Sequence, residues 1–311
     1  MNKPFSIIIP LYNKSPFIQR AVDSVLGQTY KEWELIVVND GSTDGGEKLV
    51  EKYTDPRIRI VSQSNKGVSA ARNKGVTLAK YDYVTFLDGD DSWDPGYLQE
   101  LNAQIDKYPG CGIWGINHRF IKENGEVKSN PAGTLDEGFT DGIIEDYFTL
   151  FAKKGKSPFS NSGCCFPKKL FLEKGGYREG VALTEDSDLW CRIALDHPVA
   201  FSTKELVNYY FESPGNTRSG FQTTDYQVSL TLQEALKENR VRLELIGGAR
   251  RLIAFQQLNL AKRAILTGHK TFALRKSIEW KFLRYYPLYP LLFAGLLFVP
   301  GKLFLKILKK G

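Results

Sequence analysis

Cysteine is scarce: the 311 residues hold four, Cys111, Cys164, Cys165 and Cys191. None forms a Cys-x-x-Cys pair, and the adjacent Cys164 and Cys165 should point to opposite faces of a strand. Neither a zinc site nor a disulfide framework is expected, and the thiols suit a reducing cytoplasm. Histidine is rarer still. His118, His197 and His269 are scattered, so structural or surface roles are expected of them, and no Ser-His-Asp or Cys-His arrangement stands out. Two glycine-rich phosphate loops are also missing, G-x-G-x-x-G and G-x-x-x-x-G-K-[ST]. The N-terminal MNKPFSIIIPLYN lacks a leader's long apolar core, because its short apolar stretch ends at Pro10. Near the C-terminus the uncharged Pro287–Gly301 is 15 residues long, shorter than the ~20 that span a bilayer.

Acidic and basic residues are unevenly spread. The net charge is +7, but residues 270–311 carry nine Lys or Arg against Glu279 alone, which is +8; the remaining 33 basic and 34 acidic residues give −1. The basic character therefore belongs to the tail, which argues against a nucleic-acid groove across the body and for an anionic surface met by the C-terminus.

With 42% hydrophobic and 25% charged residues, the chain has globular composition and length for one large or two ordinary domains. Its first hundred residues alternate strand and helix patterns. SIIIPL, LIVV, RIRIVSQ and YVTFL read as strands. Ser15 is placed to cap a helix with Pro16 in its first position; further helices are expected over Glu47–Tyr53, Gly67–Lys80 and from Asp94-Pro95 onward. This βαβαβαβ order predicts an α/β fold with a mostly parallel sheet and helices on both faces. Beyond Cys111 a hairpin turning at Asn124-Gly125, a helix near Gly142–Phe151, a strand at Ser162–Phe166 and a short helix at Lys168–Lys174 are expected. Residues from about Asp225 to Arg284 are helical in composition. The division this suggests is a catalytic domain over 1–215 and a helical C-terminal region over 216–311, with a tail at about 285–310.

In open parallel sheets ligands bind beyond the carboxyl ends of the strands, and the polar clusters fall there: Tyr12 and Asn13, Asp40 and Ser42, Asn65 and Lys66, then Asp88, Asp90 and Asp91. FLDGDD places three carboxylates behind an apolar strand. An EF-hand is excluded, because its glycine position would hold Trp93 and its last ligand position Gln99. Short acidic strings are more often solvated turns. The alternative here is a hard divalent cation, Mg²⁺ or Mn²⁺, on Asp88 and Asp90, with the small Gly89 letting a diphosphate approach the backbone. LTEDSDLWCRI carries a second cluster. Glu185 and Asp186 open a helix, either as capping acids with Thr184 as N-cap or with Asp186 as a general base.

IIIPLYN, VVNDGSTD, NKGVSAARNKG, FLDGDD, GGYREG and TED-x-D-L-W-x-R stand in an order and spacing that resembles family 2 glycosyltransferases of the GT-A fold, the type that builds bacterial cell-surface polysaccharides. The resemblance covers about residues 4–215. It implies a Rossmann-like sheet and an inverting transfer from a nucleotide-diphosphate sugar, usually a UDP-sugar, to a hydroxyl of a saccharide or lipid-linked saccharide. It also implies residue roles. Pro10, Tyr12 and Asn13 would line the nucleoside pocket, and Asp40 would read the base. Lys66 and Arg72 would flank base and phosphates. Asp88 and Asp90, with Gly89 between them, would meet ribose, diphosphate and a Mg²⁺ or Mn²⁺ ion. Asp186 would be the catalytic base, while Asp188 would support its helix or face the acceptor. Arg218, in ESPGNTRSG, would either clamp the donor phosphates or sit in a solvated loop. Two further readings stay open, a nucleotidyltransferase that forms sugar nucleotides and a catalytically silent nucleotide-sugar-binding protein.

The tail PLYPLLFAGLLFVPGKLFLKILKK mixes apolar residues with lysines at helical spacing. It reads as an interfacial or re-entrant anchor on an anionic leaflet, or as a buried helix pair. The first reading places the protein in the cytoplasm, peripheral on the inner face of the membrane, beside a lipid-linked acceptor.

Overall fold

The computed structural model describes residues 3–135, 137–181, 184–210 and 226–277. Arg218 and the tail from residue 278 onward lie outside the described residues. The first half runs β1 (Phe5–Leu11), α1 (Ile18–Leu26), β2 (Trp33–Asn39), α2 (Gly46–Val50), β3 (Ile58–Ser62), α3 (Val68–Leu78), β4 (Tyr83–Phe86), β5 (Ser92–Trp93) and α4 (Tyr97–Lys107). Then follow β6 (Ile113–Ile121), β7 (Val127–Ser129), β8 (Asp141–Ile144), α5 (Tyr147–Lys154), β9 (Cys164–Pro167), α6 (Lys168–Glu173), α7 (Glu185–Ala194), β10 (Val199–Tyr210), α8 (Gln227–Lys237), α9 (Ile246–Leu266) and α10 (Lys270–Ser277).

The strand order is β3-β2-β1-β4-β9-β6-β10-β5, with β7 on β6 and β8 on β10. β3, β2, β1 and β4 run parallel, as do β6 and β10; β9 is antiparallel to both of its neighbours. Every residue of β1 and β2 is buried, because helices cover both faces of this part of the sheet. Ile7 and Ile9 pack with Ile18, Val22 and Val25 of α1 and Leu98 and Leu101 of α4. Ile8 points the other way, against α3. A methyl group on Gly75 would lie 2.4 Å from Ile8 Cγ2, so this glycine lets α3 approach the strand that closely. Continuous apolar runs are the expected signature of strands covered on two sides.

Two compact units result. One is built from the chain up to Glu145, Lys156–Val181 and the segment from Glu185 through β10; the other holds Asp146–Gly155 and the helices from α8 onward. In the second, α5 and α8 pack on α9, and Asp146 caps α5 by accepting from the Thr149 amide at 2.9 Å. All four cysteines are free and buried. Among the described residues, no helix is long and apolar enough to cross a membrane.

Three local expectations are corrected. Helix α1 begins at Ile18 with Phe17 as its N-cap; the Ser15 amide donates instead to Asp44 Oδ2 at 2.7 Å, so Ser15 and Pro16 belong to the preceding turn. The segment Asp141–Ile144 is a strand, and the helix after it starts only at Tyr147. Thr184 does not cap α7: its backbone has φ 67° and its buried hydroxyl has no hydrogen-bond partner.

Candidate active site

The carboxyl ends of β1, β2 and β4 and the loop after β3 form one connected network. Asp40, just past β2, is 2% exposed. Its Oδ1 accepts from Gln63 Nε2 at 2.8 Å and the Lys66 amide at 2.9 Å, and its Oδ2 accepts from the Gly67 amide at 2.8 Å. Gly67 is the N-cap of α3, so a carboxylate sits where the unsatisfied amides and dipole of that helix favour it. On the other side, Asn13 holds φ 50°; its Oδ1 accepts from the Thr43 amide at 2.9 Å and its amide donates to Ser42 Oγ at 3.2 Å. The β1 and β2 loops are thereby tied together. Pro10 is buried at the end of β1, whereas Tyr12 is 47% exposed and Lys66 lies on the surface.

One turn into α3, Arg72 is 4% exposed. Its Nη2 donates to Asp88 Oδ1 at 2.6 Å, and its Nη1 lies 3.4 Å from Glu185 Oε1. Its guanidinium also lies 5.3 Å from the centre of the Tyr177 ring. With the Asn161 amide turned to donate to Tyr177 Oη, its oxygen accepts from Arg72 Nε and Nη2 at 3.1 and 3.2 Å. Burial opposes the charge on Arg72, but the Asp88 and Glu185 carboxylates outweigh it and raise the arginine's pKa. The next residue, Asn73, grips the loop carrying Tyr177 from both sides. It donates to the Tyr177 carbonyl at 2.8 Å and accepts from its amide at 2.9 Å. Gly176 is needed beside it, at φ 60° and with a hypothetical Cβ 2.5 Å from Asn73 Oδ1.

The three clustered carboxylates take three different partners. Asp88 faces Arg72. Asp90 Oδ2 lies 2.7 Å from Lys14 Nζ, and its carbonyl accepts from Arg20 Nη2 at 2.5 Å. Asp91 is 2% exposed and accepts from Ser162 Oγ at 2.6 Å and from the Tyr210 amide at 3.4 Å. Ser162 Oγ in turn accepts from the Asp88 amide at 3.1 Å. Burial, with the nearby charges of Asp88 and Asp90, pushes the Asp91 carboxyl well above the usual range. The acidic string is therefore not a solvated turn.

At the start of α7, Asp186 Oδ1 accepts from the Ser187 amide at 2.5 Å and from Ser187 Oγ at 3.1 Å. Burial raises the Asp186 pKa, and the carboxyl also senses the charges of Arg72 and Asp88. Glu185 is pushed up to about 7, first by burial and then by Asp186, with Arg72 opposing. Asp188 is fully buried, with Arg192 Nε at 2.9 Å and Arg178 Nε at 3.5 Å; it supports the helix. Arg72 thus brings together Asp88 and the start of α7, and Asp40 secures the helix on which Arg72 rides. Lys14, Arg20, Asn161, Ser162, Tyr177 and Tyr210 complete the site, and sequence reasoning missed all six. Lys14, Asn161, Ser162 and Tyr177 lie in segments between the longer elements, Arg20 in α1 and Tyr210 at the end of β10; of the six only Tyr177, in GGYREG, stood in a quoted motif, and it carried no assigned role.

The family described as glycosyl transferase family 2 matches residues 6–174. The chain belongs to that family. It is 41% identical over 115 residues, 35% of its own length, to the uncharacterised glycosyltransferase EpsJ of Bacillus subtilis. The chain spans 18% to 40% of the length of the first three curated relatives it matches. Among solved structures it is similar to S. aureus TarS 1–349 in complex with UDP-GlcNAc, with 20% identity, a TM-score of 0.64, and coverage of 91% of this chain and 79% of that one. It is also similar to the mannosyltransferase PcManGT of Pyrobaculum calidifontis in complex with GDP-Man and Mn²⁺, with 17% identity, a TM-score of 0.61 and 98% and 83% coverage. The α/β sheet is thus that of the GT-A fold.

In this family 2 chain, the raised pKa of Glu185 links stability to pH. A carboxyl bound more tightly by its proton in the folded state contributes stability below its ordinary value of 4.5, lost as pH rises through about 7. Glu185→Gln mimics the protonated form. It is expected to exceed the parent by about 0.8 kcal/mol near pH 5 and by about 3 kcal/mol at pH 8. Urea unfolding at both pH values checks this; an equal stability difference at pH 5 and pH 8 contradicts it.

Proposed function

We propose that the chain is an inverting glycosyltransferase that moves a sugar from a nucleotide-diphosphate sugar, with UDP as the favoured nucleotide, to a hydroxyl of a saccharide or lipid-linked saccharide in cell-surface glycan synthesis. The observation that carries this reading is the Arg72 bridge, which brings the Asp88-Gly89-Asp90 strand end and the Glu185-Asp186 helix start to one site. UDP-GlcNAc in TarS and GDP-Man in PcManGT support a nucleotide-sugar donor.

In this reading Asp186 takes the acceptor hydroxyl's proton as the oxygen attacks the anomeric carbon. The raised pKa of Asp186 makes it a better base than an ordinary carboxylate. Its link to the Ser187 amide and hydroxyl holds one oxygen in place. Pro10, Tyr12 and Asn13 line the nucleoside side of the crevice with Lys66. Asp40 reads the base while it anchors the Lys66 and Gly67 amides ahead of α3. Arg72 acts on the phosphates through Asp88, whose orientation it fixes. The donor phosphates would enter beside Gly89, and Arg218 is assigned to them from the family pattern alone.

A divalent cation fits the residues present. Among the described residues no three His, Cys, Asp or Glu side chains form a ready-made metal cage, but Mg²⁺ and Mn²⁺ bound with substrate phosphates need only one or two carboxylates. Asp90, with Asp88, would hold it; when bound, such a cation supplies Lewis-acid stabilisation of the departing nucleoside diphosphate.

The +8 charge of residues 270–311 supports peripheral attachment to the anionic inner face of the cell membrane, where a lipid-linked acceptor would be found. The full chain is expected to float with phosphatidylglycerol vesicles at low salt and to be released at high salt; equal recovery with neutral vesicles contradicts attachment by charge.

For the chemistry, Asp186→Asn is expected to retain UDP binding while sugar transfer falls by about 10²–10⁴-fold. In the parent enzyme the rate rises with pH as Asp186 ionises. Release of a nucleoside diphosphate, measured with a panel of nucleotide sugars and Mn²⁺, supports the reading. Release of pyrophosphate in its place, or unchanged turnover in Asp186→Asn, overturns it.

A further inference from the structure

Asp90 is attended by two cations of different kinds. Arg20 holds its carbonyl, and the Arg20 guanidinium is itself fixed, 3.4 Å from the centre of the Tyr210 ring and 5.5 Å from that of Phe17. Lys14 holds its carboxylate. The backbone of Lys14 is anchored on every side. Its carbonyl accepts from the Phe17 and Ile18 amides at 3.0 and 2.9 Å, Asn13 before it is tied to Ser42 and Thr43, and Ser15 after it is tied to Asp44. The ammonium alone is on a flexible stem. That stem passes alongside the glycine of the acidic string: a methyl group on Gly89 would lie 3.6 Å from Lys14 Cβ. Both ends of the ion pair are reachable by solvent, with side chains 22% and 19% exposed. Arg72, by contrast, is buried and fork-bonded, and cannot leave its carboxylates without stranding them.

We propose that Lys14 is a mobile counter-ion that couples donor binding to cation binding: it neutralises Asp90 in the donor-free enzyme and transfers to the donor's diphosphate when the nucleotide sugar enters. The proposal rests on the donor reading above. A carboxylate paired with an ammonium at 2.7 Å is a poor ligand for a divalent cation, because the cation must first displace the lysine. A diphosphate offers that lysine at least two negative charges a short stem movement away, and so frees Asp90. Each ligand then raises the affinity for the other by the same factor, as reciprocity requires. Lysine suits this role, being a compact point charge on a four-carbon stem, where the rigid arginine fork suits the fixed positions. Arg20 keeps the Asp90 backbone in place during the exchange.

Electron paramagnetic resonance of free Mn²⁺ measures the coupling directly in the full chain, with and without UDP. In the parent, UDP is expected to raise Mn²⁺ affinity by about tenfold or more, within the usual range of couplings between sites. In Lys14→Met, which keeps the apolar stem, Mn²⁺ should bind about fivefold more tightly without UDP, and the enhancement by UDP should shrink to about threefold or less. Lys14→Arg, which keeps the charge on Asp90, serves as the folding control and should bind Mn²⁺ no more tightly than the parent without UDP. Donor-free Mn²⁺ affinity in Lys14→Met no higher than in the parent, or an undiminished enhancement, overturns the proposal. If the parent itself shows no UDP-dependent Mn²⁺ binding, the donor reading fails, and this inference with it.

Discussion

A single buried guanidinium governs how this chain assembles its polar centre. Arg72 is almost wholly withdrawn from water, so its charge must be met from within. It is met by carboxylates from two distant parts of the sequence, Asp88 at the end of β4 and Glu185 at the start of α7. Removing the cation alone from such a buried network typically costs ~3–5 kcal/mol, because its carboxylates are left uncompensated. The same residue is positioned by ordinary packing. Gly75 lets α3 lie against Ile8, and Asp40 holds the Lys66 and Gly67 amides that lead into that helix. Sheet, helix and site are thus mechanically one object on this side of the protein.

The three carboxylates of the acidic string illustrate how environment divides similar groups into different tasks. Asp91 is buried, its pKa is raised, and it is bound to Ser162 and the Tyr210 amide; it joins β10 to the β4 end. Asp88 is oriented by the buried Arg72. Asp90 is partly exposed and paired with a lysine that has room to move. Only this last arrangement leaves a carboxylate ready to change partners. Burying all three together would have raised each carboxyl's pKa by mutual repulsion.

Much of the fold was legible because parallel strands covered on both faces leave continuous apolar runs, as in Ile7–Ile9 and Leu35–Val38. The helix over α3 and the Asn124-Gly125 turn followed from equally local chemistry. Strand β10 was not legible: its pairing with β6 shifts register between Ser202 and Val207, around the charged Lys204 and Glu205, and no regular alternation survives. Helix α1 was started too early, because Ser15-Pro16 has the right residues for a cap but the Ser15 amide is taken by Asp44. At the site, the acidic residues announced themselves through their clustering. Asn161, Ser162 and Tyr177 did not, since their roles arise only when the segments Asn161–Gly163 and Gly175–Tyr177 fold against α3 and β4. Polar residues in loops carry no periodic signal that distinguishes such a contact from solvation.

The geometry converges on Arg72, and there the account is most exposed to test. A double-mutant cycle on unfolding free energy, with Arg72→Met, Asp88→Asn and the pair, reads their interaction without reference to any substrate. A coupling of about 1.5 kcal/mol or more is predicted, as contacting charges in one network do not add independently. Additive effects, within about 0.5 kcal/mol, would contradict the claim that this buried ion pair holds the centre together.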